Sequence, residues 1–304
     1  MNVAAVQSEI ANVSGAEAAP RRAASDFAQL VKARLTLLVL LTTAVGFYLG
    51  AERPIDFLRL FHAVFGTALA AASAAALNQW WERRADALMQ RTKTRPIPAG
   101  RMRARDALAI GLVLAIGGLV YLAIACNALA AALAALTVVL YIFAYTPLKR
   151  ISTTNTLVGA IPGAIPPLIG WAAARGELNA GAWSLFAILF FWQMPHFFAL
   201  AWMYRADYVR AGFQMISSGD ETGARSSSQS VLFCMLLLIA GGVPGYLGVT
   251  NAIYVPIAFA LGGAFIAVAF RFHQKRTEGA ARTLFIASIT YLPLLLLALV
   301  TTKL

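Results

Sequence analysis

Nine apolar segments recur along the chain, and each is close to the length that crosses a bilayer as an α-helix. They lie at about 33–50, 58–79, 106–124, 128–147, 154–174, 181–203, 229–249, 251–270 and 281–300. A helix of roughly 20 residues spans the hydrocarbon core of about 30 Å. The pattern therefore predicts an all-α polytopic membrane protein with nine transmembrane helices.

The composition agrees with this fold class. Hydrophobic residues make up 60% of the chain and charged residues 12%, with a mean hydropathy of +0.71. A soluble globular domain of this size is not expected to be so apolar. Residues 1–28 are Ala-rich and polar and have no continuous apolar core. We expect them to form a disordered cytoplasmic tail, and residues 29–304 to form a single transmembrane domain.

The basic residues predict the orientation of the helices. Lys and Arg outnumber Asp and Glu by 25 to 13. With a cytoplasmic N-terminus, 21 of the 25 basic residues fall in inner segments, as the positive-inside rule requires. The four outer ones are Arg53, Arg59, Arg175 and Lys303. Nine helices then place the C-terminus outside. No nucleic-acid-binding module accompanies the charge, so we expect no nucleic-acid partner.

The two cysteines are predicted to lie near opposite faces of the membrane. Cys126 falls in an outer turn, and Cys234 lies near the inner end of the seventh helix. A distance of about 30 Å is too long for a disulfide, so we expect both to be packing residues.

Two inner loops are much longer than the other connections. They run from about 80 to 105 and from about 204 to 228, and long loops in compact proteins are commonly functional. They carry five of the thirteen acidic residues, namely Glu82, Asp86, Asp207, Asp220 and Glu221. The second and sixth helices, which lead into these loops, suggest a repeat of about four helices. The two acidic loops are therefore expected to face each other.

The first loop contains a polar stripe. Asn78, Glu82 and Asp86 are spaced i, i+4 and i+8, so on a continuing helix they drift only about 80° around its axis. One interpretation pairs the two carboxylates with Arg83 or Arg91. The other is a site for a hard cation such as Mg²⁺, which takes one or two carboxylates together with substrate phosphates. Nearby cations would then hold the phosphate oxygens.

The stretch VGAIPGAIPPLIGW, 158–171, places three prolines and three glycines inside a predicted span. A broken helix persists in a membrane where protein or a water-lined cavity satisfies the backbone groups. Small residues also permit close packing of helices at a kink. Both a cavity wall and a packing kink remain open.

Three blocks of this sequence resemble a known family. LNQWWERRAD followed by QRTKTRPIPAGR resembles the first signature of the UbiA-type intramembrane prenyltransferase superfamily. Its Asn-Glu-Asp pattern, YTPLKRISTTNTLVGAIPGAIPPLIGWAAARGEL at 145–178 and QMPHFFALAWMYRADYVRAG are similar to the protohaem IX farnesyltransferase (haem O synthase) branch. The matches span residues 77–214 in order, with weaker agreement over about 30–300.

The resemblance implies a nine-helix bundle with a central cavity. It implies transfer of the farnesyl group of farnesyl diphosphate to the 2-vinyl group of haem B, with addition of water and release of diphosphate, to give haem O. Mg²⁺ or another hard divalent cation would be held by Asn78, Glu82 and Asp86 in the first motif and by Asp207 in the second. The residues implied to surround the diphosphate are Arg91, Lys93, Arg95, Tyr145, Lys149 and Arg150.

The resemblance also implies substrates, partners and a location. Haem B is a substrate rather than a cofactor, and the protein is a multi-pass protein of the cell inner membrane with its active site facing the cytoplasm. Haem A synthase or the oxidase assembly machinery is a candidate partner. His196, within the sixth helix, is a candidate contact for haem iron or a propionate, or a structural histidine of the bundle.

Three other functions are weighed against this one. A 4-hydroxybenzoate-type polyprenyltransferase shares the metal logic, but the second motif has Ala211 four residues after Asp207 where those relatives often carry a second Asp. A transporter should have its ionisable residues at the bilayer midplane, whereas these acids gather at one surface. A non-catalytic haem-binding assembly factor needs no pair of acidic loops.

Overall fold

The computed structural model describes residues 23–304, and within this range nine helices are long and apolar enough to cross a membrane. They are α1 (Ala33–Gly50), α2 (Phe57–Asp86), α3 (Ala104–Ala125), α4 (Ala128–Leu148), α5 (Asn155–Arg175), α6 (Ala180–Met203), α7 (Ala224–Tyr246), α8 (Tyr254–Lys275) and α9 (Glu278–Thr301). The nine predicted spans are therefore confirmed. The largest difference is at the end of α2, which continues from the predicted residue 79 to Asp86.

The predicted tail, 1–28, lies outside the described residues as far as residue 22. Residues 23–30 are helical, so the end of the predicted tail is ordered structure. This segment is fixed against α2, because Gln79 Nε2 donates hydrogen bonds to the carbonyl oxygens of Gln29 at 2.8 Å and Leu30 at 2.7 Å. Asp26 also forms an ion pair with Arg101 in the loop after α2, at 2.8 Å.

Neighbouring helices pack closely through small residues. The most extensive contacts join α2 to α3, α1 to the second half of α5, and α6 to α7. At the α2–α3 contact, a Cβ atom on Gly118 would lie 2.9 Å from the backbone nitrogen of Ala70. Without a hydrophobic force between helices in lipid, such close backbone approach supplies the dispersion contacts that hold a bundle together.

The Pro/Gly-rich span α5 is broken at Ile165 into helical halves Asn155–Ala164 and Pro166–Arg175. A Cβ atom on Gly170 would overlap the carbonyl oxygen of Thr43 in α1, and one on Gly46 would overlap Pro167. The break therefore lets α5 lie directly against the backbone of α1. These contacts support the packing kink among the two interpretations of this stretch.

The last part of α4 changes its winding before it reaches the acidic end of the bundle. Residues Leu140–Tyr145 form a π-helix, followed by a helical turn at Thr146–Leu148. Such π-helical turns are frequent at functional sites, because the extra residue changes which side chains face a neighbouring helix.

Cys126 and Cys234 are both free thiols, as the sequence predicted.

Candidate active site

The polar stripe on α2 is buried at one end of the bundle. Asn78, Glu82 and Asp86 are 1%, 6% and 2% exposed. They share a face because α2 is one continuous helix as far as Asp86. Two carboxylates buried so deeply need compensating charge, since burial of an unpaired ion costs several kcal/mol.

Each of the three side chains accepts a hydrogen bond from one basic side chain: Asn78 Oδ1 from Lys32 Nζ at 2.8 Å, Glu82 Oε1 from Lys149 Nζ at 2.8 Å, and Asp86 Oδ2 from Arg95 Nη1 at 2.7 Å. The alternative that paired the carboxylates with Arg83 or Arg91 is wrong. Arg83 instead donates to the carbonyl oxygen of Trp80, and its guanidinium lies 5.4 Å from the Trp80 ring centre. The actual partners come from other segments, which converge on the stripe.

The second acidic loop meets the first. Asp207 lies in a short helix, Arg205–Arg210, and its Oδ2 accepts from the backbone N–H of Arg91 at 3.3 Å. Its Oδ1 accepts from Arg210 at 2.7 Å. The Arg91 guanidinium lies 3.4 Å from the hydroxyl of Tyr208 and 5.5 Å from the ring centre of Tyr204. Arg91 therefore joins the loop after α2 to the loop after α6.

The segment after α4 closes the site on a third side. Lys149 Nζ lies 4.4 Å from the ring centre of Tyr145, a cation–π contact beside its ion pair with Glu82. The Lys149 carbonyl oxygen accepts from the backbone N–H of Gln214 at 2.6 Å. Asn155 Nδ2 donates to the Gln214 carbonyl oxygen at 2.6 Å. Three chain segments distant in sequence are thus fixed around one charged cluster.

Basic side chains outnumber the two carboxylates of the stripe, with Lys32, Arg95 and Lys149 against Glu82 and Asp86. Burial lowers the pKa of Lys32 to about 7, and the charges of Arg95 and Lys149 act in the same direction. Burial would also lower the pKa of Lys149, but the adjacent Glu82 carboxylate outweighs it and raises that pKa. Crowded, desolvated cations favour the binding of a multiply charged anion at this site.

The remaining predicted residues lie differently. Lys93 and Arg150 are exposed, and within the described part of the chain neither side chain makes an ion pair or a hydrogen bond. His196 Nδ1 lies 2.8 Å from the hydroxyl oxygen of Ser288 in α9, and its ring packs at 4.7 Å from that of Phe285. His196 thus belongs to the contact between α6 and α9.

Sequence reasoning missed two residues that contact the stripe. Lys32 precedes α1 and is in the left-handed region, with φ of 50°. As one basic residue before an apolar span, it looked like a topology signal only. Thr146 Oγ1 accepts from Asn78 Nδ2 at 3.1 Å, and no sequence feature marks it.

The donor atoms fit a hard divalent cation. The amide oxygen of Asn78 and the carboxylates of Glu82, Asp86 and Asp207 are the oxygen ligands that Mg²⁺ prefers. Over residues 23–304, no group of three or more His, Cys, Asp and Glu side chains is placed to hold a metal by itself.

Comparison with known proteins identifies the family. The family model described as "UbiA prenyltransferase family" matches residues 39–293. Protoheme IX farnesyltransferase of Solibacter usitatus is 44% identical, with 89% of this chain and 96% of that protein covered. The enzyme of the same name from Opitutus terrae is 45% identical, covering 92% and 95%.

A solved structure agrees on the fold. The structure of a UbiA homolog from Archaeoglobus fulgidus bound to GPP and Mg²⁺ is 15% identical, covers 91% of this chain and 100% of that one, and superimposes with a TM-score of 0.66. The chain therefore belongs to the protoheme IX farnesyltransferase branch of the UbiA prenyltransferase family and is a multi-pass membrane prenyltransferase.

Proposed function

We propose that the protein converts haem B to haem O by transferring the farnesyl group of farnesyl diphosphate to the 2-vinyl group, with addition of water and release of diphosphate. The observation that carries this proposal is the pairing of each stripe oxygen with a basic side chain at the junction of two loops. The farnesyltransferases at 44% and 45% identity support the substrates. Mg²⁺ with GPP in the archaeal relative supports a metal-bound diphosphate.

The first half of the reaction breaks the C–O bond of the allylic diphosphate. Mg²⁺, when bound, supplies positive charge to the leaving diphosphate. Asn78, Glu82, Asp86 and Asp207 would supply oxygen ligands to that cation. Lys149 and Arg95 exchange their carboxylate partners for diphosphate oxygens, where negative charge grows in the transition state. The electron pair of the broken bond leaves with the diphosphate, and an allylic cation remains.

The second half joins this cation to the vinyl group. The vinyl electron pair forms a new C–C bond to the farnesyl carbon, which places a positive charge on the carbon next to the porphyrin ring. Water adds to that carbon and loses a proton, so the product gains a farnesyl chain and a hydroxyl group. Water must be excluded until the C–C bond has formed, which a site between buried helices provides.

The proposed placement of the diphosphate rests on the residues around the cluster. Lys93 and Arg150 are exposed beside the cluster and are proposed to attract the diphosphate as it enters, while Tyr145 lies under Lys149. Haem is proposed to occupy a central cavity, with the ring nitrogen of His196 that does not face Ser288 as a contact for iron or a propionate. The site is proposed to lie in the inner membrane and to face the cytoplasm. Residues 29–304 are proposed to form a single domain. Haem A synthase or the oxidase assembly machinery would receive the product.

The proposal is tested by the mass of the product. Purified protein is incubated with haem B, farnesyl diphosphate and Mg²⁺, and we expect a product with one farnesyl chain and one water added. A parallel incubation replaces haem B with 4-hydroxybenzoate and is expected to give no product. Prenylation of the phenol without any haem product would contradict the proposal.

A further inference from the structure

A second group of cations lies at the opposite end of the bundle from the acidic cluster. Sequence topology leaves only four basic residues outside, and three of them, Arg53, Arg175 and Lys303, line one cavity of about 470 Å³. Their positions along the chain are more than 120 residues apart, so folding alone brings them together. The positive-inside rule disfavours basic residues in outer loops, so the convergence of three of them in one cavity calls for an explanation.

The positive charge of this cavity is only partly compensated. Arg175 Nη2 pairs with Glu52 Oε1 at 2.7 Å, and Glu52 is 84% exposed. Lys303 Nζ donates to the carbonyl oxygens of Tyr48 and Ala51, at 2.6 Å each, and these neutral acceptors leave its charge in place. In the described chain Arg53 has neither an ion pair nor a side-chain hydrogen bond. Among the side chains that line the cavity, three therefore carry positive charge and one, Glu52, carries negative charge.

A buried hydrogen-bond donor belongs to the same cavity. Trp171 lines it and is 2% exposed, and its Nε1 has no hydrogen-bond partner among residues 23–304. The ring is held between two glycines of the cavity wall. A Cβ atom added to Gly50 would lie 2.9 Å from the Trp171 ring, and one added to Gly181 would lie 2.6 Å from it. The indole ring is therefore a fixed part of the cavity wall, held by backbone on both sides.

The start of α6 adds to this field. The helix has 24 residues and begins at Ala180, which also lines the cavity, so the positive end of its dipole lies there. Asn179 Oδ1 accepts a hydrogen bond from the backbone N–H of Ala182 and from no other backbone N–H of this first turn. Backbone N–H groups at a helix start together with arginines are the groups that bind phosphate.

We propose that this cavity binds a phosphate group, supplied by the headgroup of an anionic phospholipid or by free phosphate. The lipid source is favoured because the cavity lies where the helices reach the membrane surface and is also lined by Leu49, Leu247 and Val249, which suit a glycerol backbone and the start of an acyl chain. Leu247 is 44% exposed, so this wall opens to the surroundings. The site stands apart from the reaction proposed above.

The test compares two variants in one lipid titration. Arg53→Gln combined with Arg175→Gln removes two cavity cations, and Arg59→Gln is the matched control. Arg59 is the fourth outer basic residue, but its Nη2 donates to the Cys126 carbonyl oxygen at 3.4 Å and it does not line the cavity. Binding of phosphatidylglycerol, phosphatidylcholine and inorganic phosphate to detergent-purified protein is measured by native mass spectrometry and by the shift in Tm.

We expect phosphatidylglycerol to bind the wild type and the Arg59→Gln variant equally and the double variant at least about tenfold more weakly, as loss of charge-assisted hydrogen bonds requires. A phosphate effect equal to that of the lipid assigns the site to free phosphate, and a lipid effect alone assigns it to the headgroup. Arg53→Gln by itself breaks no ion pair and replaces the double variant if that one does not fold. Equal lipid binding by wild type and cavity variants would overturn the proposal.

Discussion

The charged residues of the site are placed for a change of partners. In the structure every carboxylate of the cluster is paired with a basic side chain of the protein itself, which lets it stay buried. In the proposed reaction, a metal ion and a diphosphate that arrive together would replace both halves of each pair, with carboxylate to metal and cation to phosphate. Either one alone would leave half of the buried charges unpaired, so we expect the two to bind together.

Removing one carboxylate tests the site directly. Asp86→Asn and Asp207→Asn keep the size of the side chain but remove the charge that binds the metal. We expect each to reduce kcat/KM at least a hundredfold, or about 3 kcal/mol of transition-state stabilisation. Asp106→Asn is the control, because Asp106 is exposed at the start of α3 and contacts only Arg105. Near-normal turnover in folded Asp86→Asn protein would refute the site.

Lys32 provides a test of a residue that only the fold reveals. Its Nζ contacts Asn78 within the cluster, while Arg34, two residues further on, is exposed. We expect Lys32→Met to raise the KM for farnesyl diphosphate about tenfold, since one charged contact to phosphate is lost. Arg34→Met should leave this KM unchanged. Equal effects of both substitutions would show that only the general positive potential matters.

These residues also show what the sequence reveals and what it hides. The shared face of Asn78, Glu82 and Asp86 follows from helical spacing, because all three lie on one helix. Their partners Lys149 and Lys32 do not, because they come from segments 67 and 46 residues away. The local charge pattern offered Arg83 or Arg91 as partners, but Arg83 turns toward Trp80 and Arg91 toward Tyr208. Spacing along one helix is a local property, whereas partner choice depends on the packing of several helices.

At the scale of the helix, α5 separates two kinds of prediction. Hydropathy located the span, and its prolines and glycines predicted a break. Whether the break served a cavity or a contact was not decided by the sequence, because that depends on what lies beside it. The backbone of α1 lies there, with Gly46 and Gly170 at the points of closest approach. Gly170 is thus explained by the neighbouring helix and not by α5 itself.

This contact predicts a strong effect of one methyl group. Gly170→Ala places a Cβ atom onto the backbone of Thr43 and Phe47, which cannot rotate away as a side chain would. We expect destabilisation of at least about 1–3 kcal/mol, the range for overpacking. Gly263→Ala in α8 is the control, because no atom lies within 4 Å of its added methyl group, and better helix propensity should make it neutral or stabilising. Unfolding in detergent, followed by circular dichroism, distinguishes the two.

At the scale of the whole molecule, charge divides the protein into two unlike ends. The acidic cluster and most of the cations lie toward the end of the bundle where α2 and α6 finish, and Arg53, Arg175 and Lys303 gather at the cavity beside Trp171. Hydropathy was sufficient to predict nine helices, since it depends on sums over many residues, and the orientation predicted from charge stays a prediction. The outer cavity was not predictable, because it joins side chains from five chain segments.

The orientation of this charge asymmetry in the membrane is the remaining prediction. Because 21 of 25 basic residues lie in the five segments predicted to share one side of the membrane, which include the loops after α2 and α6, those ends should face the cytoplasm. Single cysteines replacing Gln90, Glu221 or Lys275, all exposed, should react with a membrane-impermeant maleimide only in inverted vesicles, and one replacing Glu177 only in intact cells. Cys126 and Cys234 are first replaced by Ala, so that each labelled thiol is unique. Labelling of positions 90 and 221 from opposite sides would separate the two acidic loops and with them the proposed site, whereas labelling of all four positions in reverse would keep the site intact and place it on the outer face.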